Sequence, residues 1–285
     1  MNTSSSTFSI PQGVTAMVAV ASGKGGVGKS TTAACLAREL HGLGKATGLL
    51  DVDILGPSIS TMTSAYTLTS QKDTDNAVTL TPPIIEGVKV ASAGMLQASH
   101  KASILRGPMA SRFALELLSS VSWGKLDYLI LDYPPGTGDI PLSLAQHLTN
   151  AYACIVTTPQ RLAYQEAEKT IDMFQQLSVP IAGIIETMSY FEPKPDERYY
   201  LFGKDGGKHL AQKYSLPLLG QIPFAISCQK IADGGMILKN QGGDHLEVVQ
   251  AYRQASENMI SSMEPSEHDP SSLSLKWSAS LSTPP

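Results

Sequence analysis

The sequence predicts a doubly wound α/β fold, a mostly parallel sheet with helices on both faces. Three observations carry that expectation. Short apolar runs of strand length recur at Met17–Ala21, Ala46–Val52, Val88–Ala91, Leu126–Asp132, Ala151–Thr157, Ile181–Ile185 and Leu218–Ile222. Segments with helix-forming composition or spacing alternate with them, which implies parallel strands joined by right-handed crossovers. The first run leads into Gly23-Lys24-Gly25-Gly26-Val27-Gly28-Lys29-Ser30-Thr31, which fits the phosphate-loop pattern G-x-x-x-x-G-K-[ST] between a strand and a helix.

Taken in order, residues 1–14 form an expected disordered arm or edge extension, Ser/Thr-rich at its start. A single nucleotide-binding domain is expected over 15–263. Its first helix runs from Thr32 to about His41, where Gly42 and Gly44 end it. The second strand ends in Asp51-Val52-Asp53, and Gly56-Pro57-Ser58 turns the chain. Residues 63–82 are polar and read as an irregular surface excursion. A helix from Ile104 to about Ser120 carries Phe113, Leu117 and Leu118 on one side. The strand Leu126–Asp132 ends in an acid. The stretch Tyr133-Pro134-Pro135-Gly136-Thr137-Gly138-Asp139 follows, stiffened by prolines and freed by glycines, as suits a switch loop. A helix over Leu162–Leu177 places Leu162, Ile171, Phe174 and Leu177 as its apolar positions. The Ser/Pro-rich segment 264–285 is expected to be a disordered tail.

Bulk properties exclude several classes. A net charge of −4 and a pI near 5.9 give no electrostatic grip on nucleic acid or an anionic membrane. No apolar run approaches the ~18 residues of a membrane helix, and the N-terminus lacks the basic and apolar regions of a signal peptide. Cys35, Cys154 and Cys228 lie far apart, which is no disulfide framework and fits a reducing cytoplasm.

The chemistry follows from the loop. Its glycines let backbone N–H groups wrap a phosphate chain, and the helix start adds its positive dipole end. Lys29 would reach the β- and γ-phosphates, and Ser30 would ligate Mg²⁺. A second cation, Lys24, has no packing role inside the loop and would sit beside the phosphates. Asp132 stands behind Ser30 as a direct or water-mediated metal ligand. Asp53 is expected to orient the attacking water, and can also face the metal. Asp51 is the rival, with capping of the following loop as its other reading. Asp139 reads either as a γ-phosphate sensor or as the N-cap of a helix from Ile140, with Pro141 at its first position.

The loop form G-K-G-G-x-G-K-[ST] resembles that of the family containing nitrogenase iron protein, MinD/ParA and the Mrp-type iron–sulfur carriers. Further blocks are similar to the Mrp/ApbC (NBP35-like) ATPases: Asp51 to Ile59, Ile104 to Met109, Leu131 to Asp139, Thr157 to Gln160, Met188 to Tyr190, Phe202-Gly203 and Leu219 to Pro223. The resemblance covers roughly 15–263. It implies an ATP-hydrolysing homodimer, with Lys24 reaching across to the partner's nucleotide. It also implies an iron–sulfur cluster as cargo for apo proteins or assembly factors. It places the base near residue 187 and Pro223. Two departures stand out. The family's C-x-x-C after the Met-Ser block is replaced by Tyr190 to Tyr200, which contains no cysteine. Glu192 and Asp196 there are hard oxygen donors, whereas such clusters take thiolates. Cluster binding is therefore lost, or uses other ligands, or draws them from partners. In the second departure Thr187 stands where the family has an amide that reads adenine, and a single hydroxyl cannot make a two-point contact. A MinD/ParA-like regulatory ATPase without a cluster is the alternative function.

Overall fold

Seven of the eight strands in the central sheet are the seven apolar runs of the sequence, all parallel to one another. The structure, a computed structural model, describes residues 11–72, 78–97, 107–148, 150–194, 197–235, 237 and 246–264. The first half of the chain runs β1 (Val14–Ser22), α1 (Lys29–Gly42), β2 (Thr47–Asp51), α2 (Ile59–Thr63), β3 (Thr69–Lys72), β4 (Val78–Thr81), β5 (Ile84–Ile85), β6 (Val88–Ser92), α3 (Ala93–Gln97), α4 (Gly107–Ser120) and β7 (Leu126–Asp132). The second half runs α5 (Asp139–Ala145), β8 (Ala151–Thr157), α6 (Arg161–Gln176), β9 (Ile181–Glu186), β10 (Phe191–Lys194), β11 (Glu197–Tyr199), α7 (Gly206–Tyr214), β12 (Leu218–Gln221), α8 (Ile226–Asp233) and α9 (Leu246–Met263).

The sheet order is β12-β9-β8-β1-β7-β2-β6-β5, with β5 antiparallel at one edge. Alternate residues of each strand feed two separate cores. Met17, Ala19 and Ala21 join Leu129, Leu131 and Ile155 on the face covered by α4, α5 and α6. Val18 and Val20 join Ile130, Cys154 and Val156 on the face covered by α1 and α9. Burial on both faces explains why these strands are apolar at nearly every position. The chain order reverses direction at β1, which lies between β7 and β8. Ligand crevices of such sheets open at the carboxyl ends of the strands beside this reversal.

Two expectations need correction. Residues 63–82 are not irregular throughout: β3 and β4 pair antiparallel, from Thr69 against Thr81 to Lys72 against Val78. Their ladder is a backbone property that Thr-rich sequence supports without an apolar pattern. Leu80 is buried and bridges to Val121. The arm expected over 1–14 ends earlier, because Val14 already pairs with Leu126. The small strand pair β10–β11 and helices α7, α8 and α9 had no counterpart in the sequence reading. Residues 1–10, 104–106 and 265–285, with the arm, the first turn of the expected helix and the tail, lie outside the described residues.

Candidate functional site

The phosphate loop leaves β1 at its carboxyl end and enters α1. Gly26 and Gly28 both have φ of +81°, a left-handed conformation that side chains resist, and Gly28 is the residue preceding α1. A Cβ on Gly25 or Gly26 would meet nothing within 4 Å, so nothing packs on the loop there. Gly23 is different. A Cβ there would sit 2.1 Å from the backbone of Glu166, so the loop lies directly against α6. The rest of the loop is clamped from three sides. Ser22 Oγ donates to Lys24 O (3.0 Å), Gly136 N donates to Ser22 O (2.8 Å), and Thr187 Oγ1 donates to Val27 O (2.6 Å).

The charged centre lies where β1, β2 and β7 end. Lys29 Nζ donates to Asp132 Oδ1 at 2.6 Å and lies 3.6 Å from Asp53 Oδ2. It also lies 3.5 Å from Ser30 Oγ. Asp132 is fully buried; its Oδ2 has no hydrogen-bond partner. Burial raises the Asp132 carboxyl above the usual range, and the ammonium of Lys29 opposes the rise.

Asp51 takes the capping role. Its Oδ1 accepts from Asp53 N (3.1 Å), and its Oδ2 accepts from Ser58 N (3.0 Å), Ile59 N (3.1 Å) and Ser92 Oγ (3.0 Å). It therefore braces the loop that carries Asp53. Burial first, and the neighbouring Asp132 second, push its carboxyl up to about 7. The folded chain then binds a proton that the unfolded chain, with a carboxyl near 3.8, releases. Between those values stability falls as pH rises. The nucleotide-free protein is expected to melt at a higher temperature at pH 5.5 than at pH 8, and Asp51→Asn to flatten that slope in a thermal scan.

Asp53 faces a cleft of about 540 Å³ whose walls include Leu55, Pro134, Pro135, Asp139 and Pro141. The two proline- and glycine-bearing loops thus meet over one space. Asp139 does not cap: the residue preceding α5 is Gly138, and Asp139 is the helix's exposed first residue. Its charge sits beside the helix dipole instead. Lys24 Nζ lies 3.4 Å from Gln160 Oε1 of the same chain, across from the phosphate-loop centre. Beyond Gly28 and Thr31 a second cavity, of about 350 Å³, opens between Thr187, Met188, Pro223, Phe224 and Tyr252. Thr187 and Pro223 line the same pocket, and the Thr187 hydroxyl points at the loop.

Sequence reasoning missed Glu186. Fully buried at the end of β9, it accepts from Ser189 Oγ (2.6 Å), Gly207 N (2.6 Å) and Gln221 Nε2 (2.8 Å). It ties β9, the start of α7 and β12 together beneath Thr187. The signal was available, since an acid ending an apolar strand is what singled out Asp51 and Asp132. Glu186→Ala strands buried donors, at a cost of about 3 kcal/mol. A melting temperature lower by roughly 6–12 °C is the expected result in calorimetry.

The β10–β11 pair occupies the stretch where a thiolate pair was sought. It is closed by an ion pair between Arg198 and Glu192, and the Arg198 guanidinium lies 4.3 Å over the Tyr190 ring. Asp196 lies outside the described residues. Cys35 and Cys154 are fully buried, and burial pushes each thiol up to about 12. Among the described residues no three His, Cys, Asp or Glu side chains gather as a metal site.

Comparison with known proteins adds the following. The ParA family model described as NUBPL iron-transfer P-loop NTPase matches residues 13–260. A protein of Synechocystis named iron-sulfur cluster carrier protein is 43% identical over 77% of this chain and 63% of its own length. A mouse protein named iron-sulfur cluster transfer protein NUBPL is 40% identical over 82% of this chain and 74% of its own. The chain thus spans somewhat under two thirds of several of the curated bacterial relatives it matches. A solved nucleotide-binding protein of Archaeoglobus fulgidus, in complex with ADP, superposes with a TM-score of 0.69 at 36% identity, covering 82% of this chain and 94% of that one. The cell division ATPase MinD of Pyrococcus furiosus shares the fold, with a TM-score of 0.61 at 17% identity over 87% of this chain and 99% of that one.

Proposed function

The chain belongs to the ParA family of NUBPL iron-transfer P-loop NTPases, and from that premise we propose that it binds and hydrolyses ATP as a homodimer to drive iron–sulfur cluster transfer to apo proteins. The observation that carries the nucleotide half is the Lys29–Asp132–Asp53 centre beneath the phosphate loop. Backbone N–H groups of Gly25 to Thr31 hold the phosphates, Lys29 turns from the carboxylates to the β- and γ-phosphates, and Asp53 orients water. The site suits Mg²⁺. Asp53 and Asp132 both pair with Lys29, and the unpartnered Asp132 Oδ2 is a buried oxygen in need of a cation. Ser30 and Asp132, with Asp53, would hold the ion, which supplies charge neutralisation on the phosphates.

Dimerisation has its own support. Six of the exposed apolar side chains, Leu55, Leu142, Leu162, Leu201, Phe224 and Ile226, belong to segments that follow the carboxyl ends of parallel strands, the side on which the site opens. Apolar exposure on that side suits an association surface. Lys24, resting on Gln160, is placed at that end, free to exchange a neutral partner for a phosphate.

The β10–β11 pair is held by the Arg198–Glu192 ion pair and carries no thiolate, so the cluster, as cargo, takes its thiolate ligands from the proteins that donate and accept it. Three free thiols suit a reducing cytoplasm. The lack of a thiolate pair in that hairpin also favours a second reading, a MinD/ParA-like switch with no cluster role. An anaerobic transfer assay separates the two. With ATP, the chain is expected to speed cluster delivery from a loaded donor to an apo acceptor several-fold, and Lys24→Ala to lose both that effect and ATP-dependent dimerisation in sedimentation. ATP-dependent dimerisation without any acceleration would leave the switch reading.

A further inference from the structure

We propose that Tyr133 is a positioning residue for hydrolysis: its hydroxyl holds the loop after Asp132 in one shape, which fixes the wall that faces Asp53. The inference rests on the reading of Asp53 as the group that orients water, and names a further residue that serves it.

The loop from Tyr133 to Asp139 joins the end of β7 to α5. Its first half is fastened through the backbone. Tyr133 N donates to Val20 O (3.1 Å), and Gly136 N donates to Ser22 O (2.8 Å). Both acceptors belong to β1, the strand that leads into the phosphate loop. Gly136 turns the chain there with a φ of +85°. The second half is fastened by a side chain. The Tyr133 ring is 1% exposed and lies tilted against Phe174 of α6, with centroids 5.7 Å apart. Its hydroxyl donates to Pro141 O at 2.5 Å. That bond closes the loop on itself. The residue next to the buried Asp132 is tied to the first turn of α5.

The tie ends at the cleft wall. Pro134, Pro135, Gly138, Asp139 and Pro141 line the space of about 540 Å³ that Asp53 faces. The two prolines have fixed φ. Thr137, Gly138 and Asp139 are exposed, so the Tyr133 bond to Pro141 is what anchors their far end to β7. A phenylalanine would fill the same core position without a hydroxyl to satisfy. The tyrosine adds a bond whose other end is the segment opposite Asp53. Displacement of a positioned reactant by about 1 Å slows reaction far more than it weakens binding.

Tyr133→Phe keeps the ring and removes the hydroxyl. Single-turnover hydrolysis of ATP by the full-length variant is expected to slow about 3–10-fold, the worth of one neutral hydrogen bond. The dissociation constant of MgATP is expected to stay within about twofold of wild type. Amide exchange over Gly136 to Asp139 is expected to quicken. Phe174→Leu is the control for packing. It keeps the hydroxyl, and is expected to lower the melting temperature and leave the hydrolysis rate unchanged. A wild-type rate in Tyr133→Phe would overturn the inference, as would an equal loss of rate and affinity. A rate loss in Phe174→Leu as large as that in Tyr133→Phe would also overturn it, by assigning the effect to the core. Asp53→Asn distinguishes the levels. If it is slow while Tyr133→Phe is not, the inference alone fails; if it turns over normally, the reading of Asp53 fails and takes the inference with it.

Discussion

Lys29→Ala is expected to remove nucleotide binding and to destabilise the protein at the same time. Both effects follow from one ammonium group serving two states. With phosphate present, Lys29 supplies charge-assisted hydrogen bonds of about 1.5–3 kcal/mol each, so its loss weakens ATP at least about 100-fold. With phosphate absent, Lys29 is the counter-ion of Asp132, which is fully buried at 2.6 Å. Deleting one partner of a buried pair costs about 3–5 kcal/mol, because the other charge is left unsolvated. The two losses separate in the double variant Lys29→Ala/Asp132→Asn. There the stranded carboxylate becomes a neutral amide, and melting is expected to recover while ATP affinity does not. A single variant that melts normally would mean that the Lys29–Asp132 pair does not govern the nucleotide-free state.

Asp53→Asn is expected to lower ATP turnover by about 10²–10⁴-fold, the range for removing a positioned general base. Nucleotide affinity should change little, because Lys29 and the backbone cradle that hold the phosphates are untouched. Asparagine also retains the oxygen that accepts from Gly56 N, so the loop keeps its shape. Single-turnover hydrolysis, beside titration of ATP, checks the split. Normal turnover would reduce Asp53 to a second counter-ion for Lys29. An equal loss of affinity and turnover would place its role in binding.

The sheet was readable in the sequence because its strands are buried on both faces, so every position had to be apolar. The phosphate loop was readable because Gly26 and Gly28 need left-handed backbone and Lys29 and Ser30 need fixed offsets. The acids were readable as a set but not individually. Asp51 and Asp53 lie two residues apart at a strand end, and only folding decides that Asp51 turns to the amides of Ser58 and Ile59 while Asp53 stays in the cleft. Closures over long separations left no local trace: Thr187 on Val27, Lys24 on Gln160, Tyr252 on Thr32. The β10–β11 pair and α7 were missed because they are short and polar. The first is held by an ion pair and a ring contact rather than by an apolar stripe, and the second by the carboxylate of Glu186 at its first turn.

The central claim is that this chain carries the nucleotide machinery of an iron-transfer NTPase while its partners supply the cluster's thiolates. Iron content after anaerobic reconstitution of the isolated protein with iron and sulfide, with and without ATP, tests it most directly. No iron and no sulfide-to-iron absorption is expected to survive desalting in either state. A cluster retained in stoichiometric amount by the isolated homodimer would contradict it.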